Sequence, residues 1–327
     1  MRVLIAAGGS GGHLFPAQQL AELLPEAEMH FAGHGLAKSP FFRKSLYAFT
    51  DIESAPLENP FAFLRTLFSG VAKSVRLLRS FSPNVVVGFG SYHTVPILCA
   101  ALLLRKPIVL YEANASLGKV NRLFAPFAKA VASPFPGVGV RVPFFPWIQK
   151  KEEISPEGYG LEGPVCLVFG GSQGAAFLNE HFWRTAQLAG VQVLHFTGKE
   201  EEVARVEQRY AQAGVKARVL AFETQMARAY AAADCAVCRA GAGSVSELVR
   251  YQVPALLIPY PHAGGHQQKN AEWFAQVGGG SWLLQAEAKP ERCAERIREL
   301  LRSDRAPQLP LGFTVPFEAV VKGAAKG

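Results

Sequence analysis

The sequence predicts an α/β protein with two Rossmann-like, doubly wound parallel-sheet domains that face a central cleft. Three observations carry this prediction. Short β-branched runs alternate with longer helical patterns along most of the 327 residues, which is typical of βαβ units. A chain of this length corresponds to about two domains. A strand followed by Gly-Gly-Ser-x-Gly and a helical pattern occurs twice, beginning at Val3 and at Val165.

The predicted strands are continuously apolar, as strands covered by helices on both faces are. In the first half they comprise residues 2–7, 85–88 and 108–111, and residues 17–24 and 96–104 form helices between them. In the second half the predicted strands are residues 165–169, 191–196, 217–221, 236–238 and 255–258.

A predicted linker separates the two halves. Residues 143–160 combine prolines, glycines and a mixed run of charges, which is typical of a connecting segment. We therefore place an N-terminal domain at residues 1–146 and a C-terminal domain at residues 147–327. We expect the end of the chain to pack back on the N-terminal domain.

The excess of positive over negative charge is confined to the first half of the chain. The net charge is +8, and residues 1–150 carry 15 basic and 7 acidic side chains. A basic half of this kind fits either nucleic acid or an anionic membrane surface, and charge alone does not choose between them. A hydrophobic content of 49% with 18% charged residues excludes a disordered chain.

The apolar runs and the cysteines indicate the compartment. The longest apolar run, residues 95–104, is about half the length that a membrane-spanning helix needs. The five cysteines lack the spacing of a disulfide framework, and Cys235 and Cys238 lack the second pair that a zinc site requires. We expect a cytoplasmic protein whose cysteines are buried thiols.

Both glycine turns join a predicted strand to the start of a helix, where unpaired backbone N–H groups can surround an anion. In the first turn, Gly8 to Gly12 allow close backbone approach and Ser10 adds a hydroxyl. The dinucleotide fingerprint is absent, because Leu14 stands where its last glycine is required, and no G-x-x-x-x-G-K occurs. An anionic ligand is the functional interpretation, and a tight turn without a ligand is the alternative.

Two side chains near the glycine-rich segments admit two interpretations each. His13 begins a helix, where the positive helix end favours the neutral imidazole of a general base, but a lone histidine is also a common structural residue. Ser244-Val-Ser-Glu247 matches a capping box, in which both side chains only cap a helix. Glu247 beside a glycine loop is alternatively placed to bind ribose hydroxyls.

Four blocks of sequence together resemble the MurG family of bacterial N-acetylglucosaminyltransferases, which have the GT-B fold. The blocks are Gly8-Gly-Ser-Gly-Gly-His13-Leu-Phe-Pro16, Gly170-Gly-Ser-Gln-Gly174-Ala, Arg239-x-Gly-x-x-x-x-Ser-Glu247 and His266-Gln267-x-x-Asn270-Ala. The resemblance covers nearly the whole chain, in order. It implies transfer of N-acetylglucosamine (GlcNAc) from UDP-GlcNAc to the 4-hydroxyl of the muramoyl sugar of undecaprenyl-diphospho-muramoyl-pentapeptide. This is the step from lipid I to lipid II in peptidoglycan synthesis.

The resemblance implies roles for residues of the first domain. His13 would be the general base that deprotonates the acceptor hydroxyl. Ser10, Gly11 and Gly12 would face the acceptor diphosphate or the donor sugar, and Asn114 would contact the donor GlcNAc.

The resemblance also implies a donor-binding set in the second domain. Ser172 and Gln173 would contact the donor diphosphate, and the backbone near Glu223 would hold uracil. Glu247 would bind ribose, with substrate contact ahead of any capping role, and Gln267 would bind the sugar. The phosphate would lie against Ala242, Gly243, Ser244, Val245 and Ser246.

We predict an inverting displacement that needs neither a metal nor another cofactor. Backbone amides at helix N-termini can relieve the charge on the leaving diphosphate, and Asp51-Ile-Glu53, the nearest carboxylate pair, is not expected to bind a metal.

Two positions depart from the family pattern. Tyr111 stands where histidine is usual, and residues 142–146 replace an Asn-Pro-Val-Arg block, whose arginine is missing or replaced by one such as Arg141.

A lipid acceptor implies a surface that meets a membrane. The segment Phe61 to Phe81 has four basic side chains and no acidic one, with bulky apolar residues at helical spacing near its start: Phe61, Leu64, Leu67 and Phe68. We predict that this segment contacts an anionic membrane surface. The protein would then be a peripheral protein on the inner face of the cell membrane. Packing on the protein's own sheet is the alternative and is favoured for residues 71–78. No nucleic acid is expected, because the basic half lacks spaced aromatic platforms.

Two other classes of protein stay open from the residues alone. A soluble GT-B enzyme such as a UDP-sugar 2-epimerase would lack the basic apolar segment and would release UDP without a lipid acceptor. A non-catalytic nucleotide-sugar-binding protein would need no general base, and His13 beside an open glycine loop argues against it.

Overall fold

The computed structural model describes residues 1–8, 10–54, 60–147, 158–171, 174–302, 307 and 314–326, with residues 60–65 as backbone. The chain divides into two compact units. The first is Met1–Ile148 with Gly312–Gly327, and the second is Gln149–Leu311.

Strands and helices alternate through both units. The strands are β1 Arg2–Ala6, β2 Glu28–Gly33, β3 Ala48–Asp51, β4 Val85–Gly88, β5 Ile108–Tyr111, β6 Ala130–Ser133, β7 Val140–Arg141, β8 Val165–Phe169, β9 Gln192–Phe196, β10 Ala217–Leu220, β11 Cys235–Cys238, β12 Ala255–Leu257 and β13 Gly280–Trp282. The α-helices are α1 Gly11–Leu23, α2 Pro60–Phe81, α3 Val95–Leu103, α4 Lys119–Phe124, α5 Ala176–Ala189, α6 Glu200–Gln212, α7 Met226–Ala231, α8 Ala242–Tyr251, α9 His266–Gln276, α10 Pro290–Arg302 and α11 Phe317–Lys326.

The described strands of the first unit form one seven-stranded parallel sheet in the order β3-β2-β1-β4-β5-β6-β7. Strand β1 lies between β2 and β4, pairing Val3 with Met29 and with Val85. The strand order therefore reverses beside β1. Ligands of doubly wound sheets bind beyond the carboxyl ends of the strands at such a switch point.

Both faces of this sheet are covered, so the residues of β1 alternate between two cores. Val3 and Ile5 pack with residues of α1 and α11, whereas Leu4 and Ala6 pack with residues of α2 and α3. All four side chains are fully buried. Two-sided burial is the reason that this strand reads as a continuous apolar run rather than an alternating one.

The last helix, α11, belongs to the first unit. Phe317 is 1% exposed, and its ring lies 6.0 Å from Phe89, 5.2 Å from Tyr111 and 5.2 Å from Trp147, measured between centroids. The Trp147 indole Nε1 donates to the Pro143 carbonyl at 2.9 Å. The start of the predicted linker, residues 143–147, is therefore packed with the first unit, and residues 148–157 lie outside the described residues.

The described strands of the second unit form a six-stranded parallel sheet in the order β10-β9-β8-β11-β12-β13. Its switch point lies beside β8, which pairs with β9 and β11. Cys166 and Val168 of β8 pack with Phe182 of α5 and Ile297 of α10. The two sheets repeat one arrangement, as the duplicated glycine pattern predicts.

The predicted α/β class with two parallel sheets is confirmed. Strands β4, β5 and β8 coincide with their predicted ranges, and the other predicted strands agree within one residue at each end. The strands β2, β3, β6, β7 and β13 are not among the predicted ranges. The first half of β2 is exposed or partly buried, and the other four are short and lie at or near the sheet edges, where many of their residues are only partly buried. Helix α1 begins at Gly11, six residues before its predicted start, because glycine and Pro16 weaken the helical pattern there.

Within the described residues, no helix has both the length and the apolar character that crossing a membrane requires.

Candidate functional site

The first glycine turn places His13 beyond the carboxyl end of β1, in the first turn of α1. Ser10 precedes the helix, and its carbonyl accepts from the His13 and Leu14 N–H groups at 3.1 and 3.0 Å. The Ser10 side chain makes no cap bond to the helix backbone. Its Oγ lies 2.8 Å from His13 Nδ1 instead. Ser10 and Gly12 are exposed and Gly11 is buried, while Gly9 lies outside the described residues.

Burial lowers the pKa of His13, and the nearby Glu112 carboxylate raises it in part. The imidazole is therefore neutral at neutral pH, as a general base must be. When Nδ1 carries the proton and donates it to Ser10 Oγ, the lone pair of Nε2 is available to accept a proton. Nε2 faces the space beside Gly90, where an added Cβ would lie 3.8 Å from it.

Glu112 is a buried carboxylate beyond the end of β5, held entirely by hydrogen bonds. Oε1 accepts from Asn114 N at 3.0 Å and Asn114 Nδ2 at 2.9 Å, and Oε2 accepts from Gly118 N at 2.8 Å and Asn121 Nδ2 at 2.9 Å. The amide of Asn114, a predicted sugar contact, is thereby fixed in orientation. No sequence pattern points to Glu112 or Asn121, because their pairing depends on the turn between β5 and α4.

Tyr111, at the position where histidine is usual in the family, contributes to the packing of the core. Its side chain is 2% exposed and lies among the rings of Phe89, Trp147 and Phe317. Arg141 lies at the end of the edge strand β7, also in the first unit.

A cavity of about 460 Å³ opens beside Ser10 at the same end of the first sheet. Its lining includes Lys38, His34 and His93 with the hydroxyls of Ser91 and Tyr92, and no carboxylate among the described residues. Burial lowers the pKa of His93 to about 4, with smaller contributions from His34 and His13. Lys38 therefore gives the cavity a positive charge, and the neutral His93 ring and the two hydroxyls supply hydrogen-bonding capacity.

The second glycine turn follows β8 and leads into α5. Gly174 has φ +71° and an added Cβ would lie 2.0 Å from the Thr197 carbonyl oxygen, so no other residue fits there without displacing the backbone. The predicted diphosphate contacts Ser172 and Gln173 lie outside the described residues.

The N-terminus of α8 follows β11, the neighbour of β8 at the switch point of the second sheet. Gly241 precedes the helix, which begins at Ala242. The Val245 N–H donates to the Gly241 carbonyl at 2.9 Å, which leaves Ala242, Gly243 and Ser244 as the residues whose N–H groups have no intrahelical acceptor. Val245 and Ser246 are buried, so of the five predicted phosphate contacts the first three are at the open helix end.

The capping-box interpretation of Ser244 and Glu247 is wrong. Ser244 lies inside the first turn, and the helix has no side-chain cap. The Glu247 carboxylate instead accepts a hydrogen bond from the Tyr230 hydroxyl, 2.7 Å from Oε2. Burial raises the pKa of Glu247 to about 7, and the hydrogen bond from Tyr230 lowers it in part.

Glu223 and Gln267, the remaining residues predicted to contact the sugar donor, are hydrogen-bonded to neighbouring residues. The Glu223 carboxylate accepts from Tyr159 Oη at 2.8 Å and from Gln225 N at 2.7 Å, which orders the loop after β10. Gln267, in the first turn of α9, accepts from the Tyr260 N–H at 2.9 Å through Oε1.

No group of three or more histidine, cysteine or acidic side chains among the described residues is arranged to hold a metal ion. Asp51, one of the two carboxylates considered for a metal, accepts from the Leu36 and Ala37 N–H groups at 2.8 and 3.0 Å. Its role is to fix the turn after β2.

Comparison with known proteins gives matches over both units. Residues 3–133 match the Glycosyltransferase family 28 N-terminal domain, and residues 165–310 match the Glycosyltransferase family 28 C-terminal domain. A relative from Protochlamydia amoebophila is 40% identical, covering 92% of this chain and 87% of its own. A relative from Nitrosococcus oceani is 36% identical, covering 92% and 89%. Both are named UDP-N-acetylglucosamine--N-acetylmuramyl-(pentapeptide) pyrophosphoryl-undecaprenol N-acetylglucosamine transferase.

Two solved structures illustrate the range of structural similarity. The crystal structure of Acinetobacter baumannii MurG matches with a TM-score of 0.76 at 25% identity, covering 100% of this chain and 99% of its own. LpCGTa in complex with UDP matches with a TM-score of 0.62 at 17% identity, covering 99% and 92%, and shares the fold alone.

Two parallel α/β sheets, each with a glycine loop at its switch point, and these structural neighbours define a GT-B glycosyltransferase. The chain belongs to glycosyltransferase family 28 and, within it, to the MurG transferases.

Proposed function

We propose that the protein transfers GlcNAc from UDP-GlcNAc to the 4-hydroxyl of the muramoyl sugar of undecaprenyl-diphospho-muramoyl-pentapeptide, converting lipid I to lipid II. The names of the relatives that match nearly the whole chain support this reaction. Among the observations on the chain itself, the neutral, oriented His13 at the open end of the first sheet carries the proposal. It provides the base that a sugar transfer needs and that a binding protein does not.

His13 acts as the base through Nε2. The acceptor oxygen attacks the anomeric carbon of GlcNAc and its proton passes to Nε2, while the bond from the anomeric carbon to the diphosphate oxygen breaks. Attack opposite the leaving group inverts the anomeric configuration. Asn121 Oδ1, buried and without a hydrogen-bond partner in the described residues, lies near the same space beside Gly90 and is placed to accept from an acceptor hydroxyl.

The leaving UDP is held by backbone groups rather than by a metal. The N–H groups of Ala242, Gly243 and Ser244 at the start of α8 fit one phosphate. For the other phosphate we retain the contacts that the family resemblance implies, Ser172 and Gln173, which lie outside the described residues. Glu247 binds the ribose, the backbone near Glu223 the uracil, and Gln267 and Asn114 the sugar. Ser10, Gly11, Gly12 and the basic cavity beside them face the acceptor diphosphate.

The lipid-linked acceptor is reached from the membrane surface, through α2 and its neighbours. Phe68 is 72% exposed on α2. Three further large apolar side chains are exposed on α3, on α4 and in the turn directly after α4: Leu103, Leu123 and Phe127. Residues of α2, α3 and α4 pack in the same core. Lys73, Arg76 and Arg79 are exposed along α2. Exposed apolar groups among basic ones suit the interface of an anionic bilayer, and we place the protein peripherally on the inner face of the cell membrane.

The reaction is tested by incubating the purified protein with radiolabelled UDP-GlcNAc, with and without the undecaprenyl-linked acceptor. We expect label in the lipid fraction and stoichiometric UDP release only when the acceptor is present. UDP release at an equal rate without the acceptor would support the epimerase class instead.

The membrane contact is tested by sedimentation with liposomes of anionic or zwitterionic lipid. We expect Phe68→Ser to weaken binding to anionic liposomes about tenfold, because an aromatic side chain leaves the interface. Leu188→Ser is the matched control, since Leu188 is 47% exposed on α5 of the second unit. Binding that is independent of anionic lipid and of Phe68 would exclude this surface.

A further inference from the structure

Glu247 is held by a tyrosine from a different helix. Tyr230 lies on α7, its hydroxyl donates to Glu247 Oε2 on α8, and the two helices pack together. No basic side chain forms an ion pair with Glu247 in the part of the chain that the structure describes. The phenol is therefore the group that stabilises the ionised carboxylate.

The ring of Tyr230 is fixed in place. It is 2% exposed, stacks on Tyr251 with centroids 5.0 Å apart and planes 15° apart, and meets Phe169 edge-on at 6.0 Å. Phe169 is the last residue of β8, directly before the second glycine loop. The phenol oxygen thus has one position, set by the strand that carries the loop and by the helix that carries the carboxylate.

The other groups around Glu247 do not replace this hydrogen bond. Burial and then the Glu247 carboxylate raise the pKa of Cys238 and of Tyr251, so both neighbours are uncharged. The Arg239 guanidinium is directed to the Ile258 and Pro259 carbonyls and to Gln285. The remaining titratable groups on α8 and on the helices packed against it are Arg250, Arg228, His266, Lys269 and Glu272, whereas the pKa of Glu247 is set by burial and by the bond from Tyr230.

We propose that Tyr230 is a positioning residue that keeps the Glu247 carboxylate ionised and oriented to accept two vicinal hydroxyls of a nucleoside diphosphate, which makes nucleotide binding proton-linked. This inference rests on the proposed ribose contact of Glu247. The carboxylate offers two oxygens to the two hydroxyls of a ribose, and Oε2 retains a second lone pair beside its bond to Tyr230. A protonated carboxyl loses one of these acceptors.

The direction of the pH dependence follows from the burial of Glu247. Its raised pKa places the ionised form on the alkaline side, so affinity for the nucleotide rises with pH through about 7 and is weaker below it. Removing the Tyr230 hydroxyl removes a bond to the charged form. The pKa of Glu247 then rises further. The rising limb of the curve of nucleotide affinity against pH therefore moves as a whole to higher pH.

The experiment is calorimetric titration with UDP and with 2′-deoxy-UDP from about pH 5.5 to about 8.5, using the unmodified enzyme, Tyr230→Phe and Tyr251→Phe. For Tyr230→Phe we expect the limb to move to higher pH and the affinity at neutral pH to fall about tenfold, the scale of a hydrogen bond to a charged group. Tyr251→Phe, which removes a neighbouring hydroxyl but keeps the bond from Tyr230 to Glu247, leaves the limb in place. The 2′-deoxy ligand shows a smaller effect of Tyr230→Phe, because one hydroxyl contact is missing.

An unchanged limb in folded Tyr230→Phe overturns the inference. If that variant does not fold, the test uses a difluorinated tyrosine at position 230, whose phenol is a stronger hydrogen-bond donor. We then expect the limb to move to lower pH, and an unmoved limb overturns the proposal. Glu247→Gln distinguishes a failure of the proposed ribose contact from a failure of the role assigned to Tyr230. If Glu247→Gln leaves UDP affinity unchanged, the proposed ribose contact fails; if it weakens binding while the Tyr230 variants do not move the limb, only this inference fails.

Discussion

At the scale of single residues, the chemistry of His13 depends on its neighbours more than on its position in a motif. Ser10 Oγ at 2.8 Å from Nδ1 orients the imidazole ring, and burial lowers the pKa of the ring against the opposing effect of Glu112. The sequence places a histidine at a helix start. It does not state that Ser10 turns away from the helix backbone and towards the imidazole.

We expect His13→Ala to lower kcat by about 10²- to 10⁴-fold, the range of a lost general base, while UDP binding stays close to normal. In the unmodified enzyme kcat rises with pH through the lowered pKa of His13, below about 6.5, and is flat above it, because the neutral ring is the active form. Single-turnover transfer and UDP calorimetry measure the two effects. His181→Ala, an exposed histidine on α5, is the control, and near-normal turnover of His13→Ala would exclude this base.

At the scale of elements, the two glycine turns are set by steric demands at identifiable positions. Gly174 combines a left-handed backbone with contact against the carbonyl of Thr197, which begins the neighbouring turn after β9. The loop before α5 and the turn after β9 are therefore packed backbone to backbone. This geometry fixes where the N-terminus of α5 points.

We expect Gly174→Ala to weaken UDP binding by more than about tenfold and to lower the melting temperature, because the loop must move away from Thr197. Gly214→Ala is the matched control. Gly214 also has positive φ, at +68°, but an added Cβ meets nothing within 4 Å, so this substitution costs only about 1 kcal/mol of backbone strain. Equal effects of the two substitutions on UDP affinity would contradict the steric argument.

At the scale of the whole molecule, the end of the chain completes the first unit. Phe317 and Val321 of α11 are buried in the same core as Val3 and Ile5 of β1, more than 300 positions earlier in the 327-residue sequence. From the sequence we expect the end of the chain on the first domain. The partners of Phe317, however, are decided by packing.

Phe317→Ala should lower the free energy of unfolding of the first unit by about 3–5 kcal/mol, the usual cost of removing a buried phenylalanine side chain. UDP binding, which we assign to the second unit, should persist at temperatures where transfer activity is lost. Thermal unfolding with parallel UDP calorimetry measures both. Lys322→Ala, exposed on the same helix, should change neither, and an unaltered melting temperature for Phe317→Ala would show that α11 contributes little to this core.

The sequence by itself determined the class of fold, the strands at the centre of each sheet and the location of both glycine turns. These features depend on local pattern, since a buried parallel strand is apolar whatever its neighbours are. The edge strands β3, β7 and β13 were missed, because partial burial leaves only a weak apolar signal.

Only the tertiary structure decided how the site residues are held. Ser244 and Glu247 have the spacing of a capping box, yet Glu247 bonds Tyr230, because α7 packs against α8 and presents a phenol to the carboxylate. Glu112 likewise holds Asn114 and Asn121 through a turn that no motif encodes. Sequence pattern reports which residues are buried or polar, whereas hydrogen-bond partners depend on distances between segments that only folding brings together.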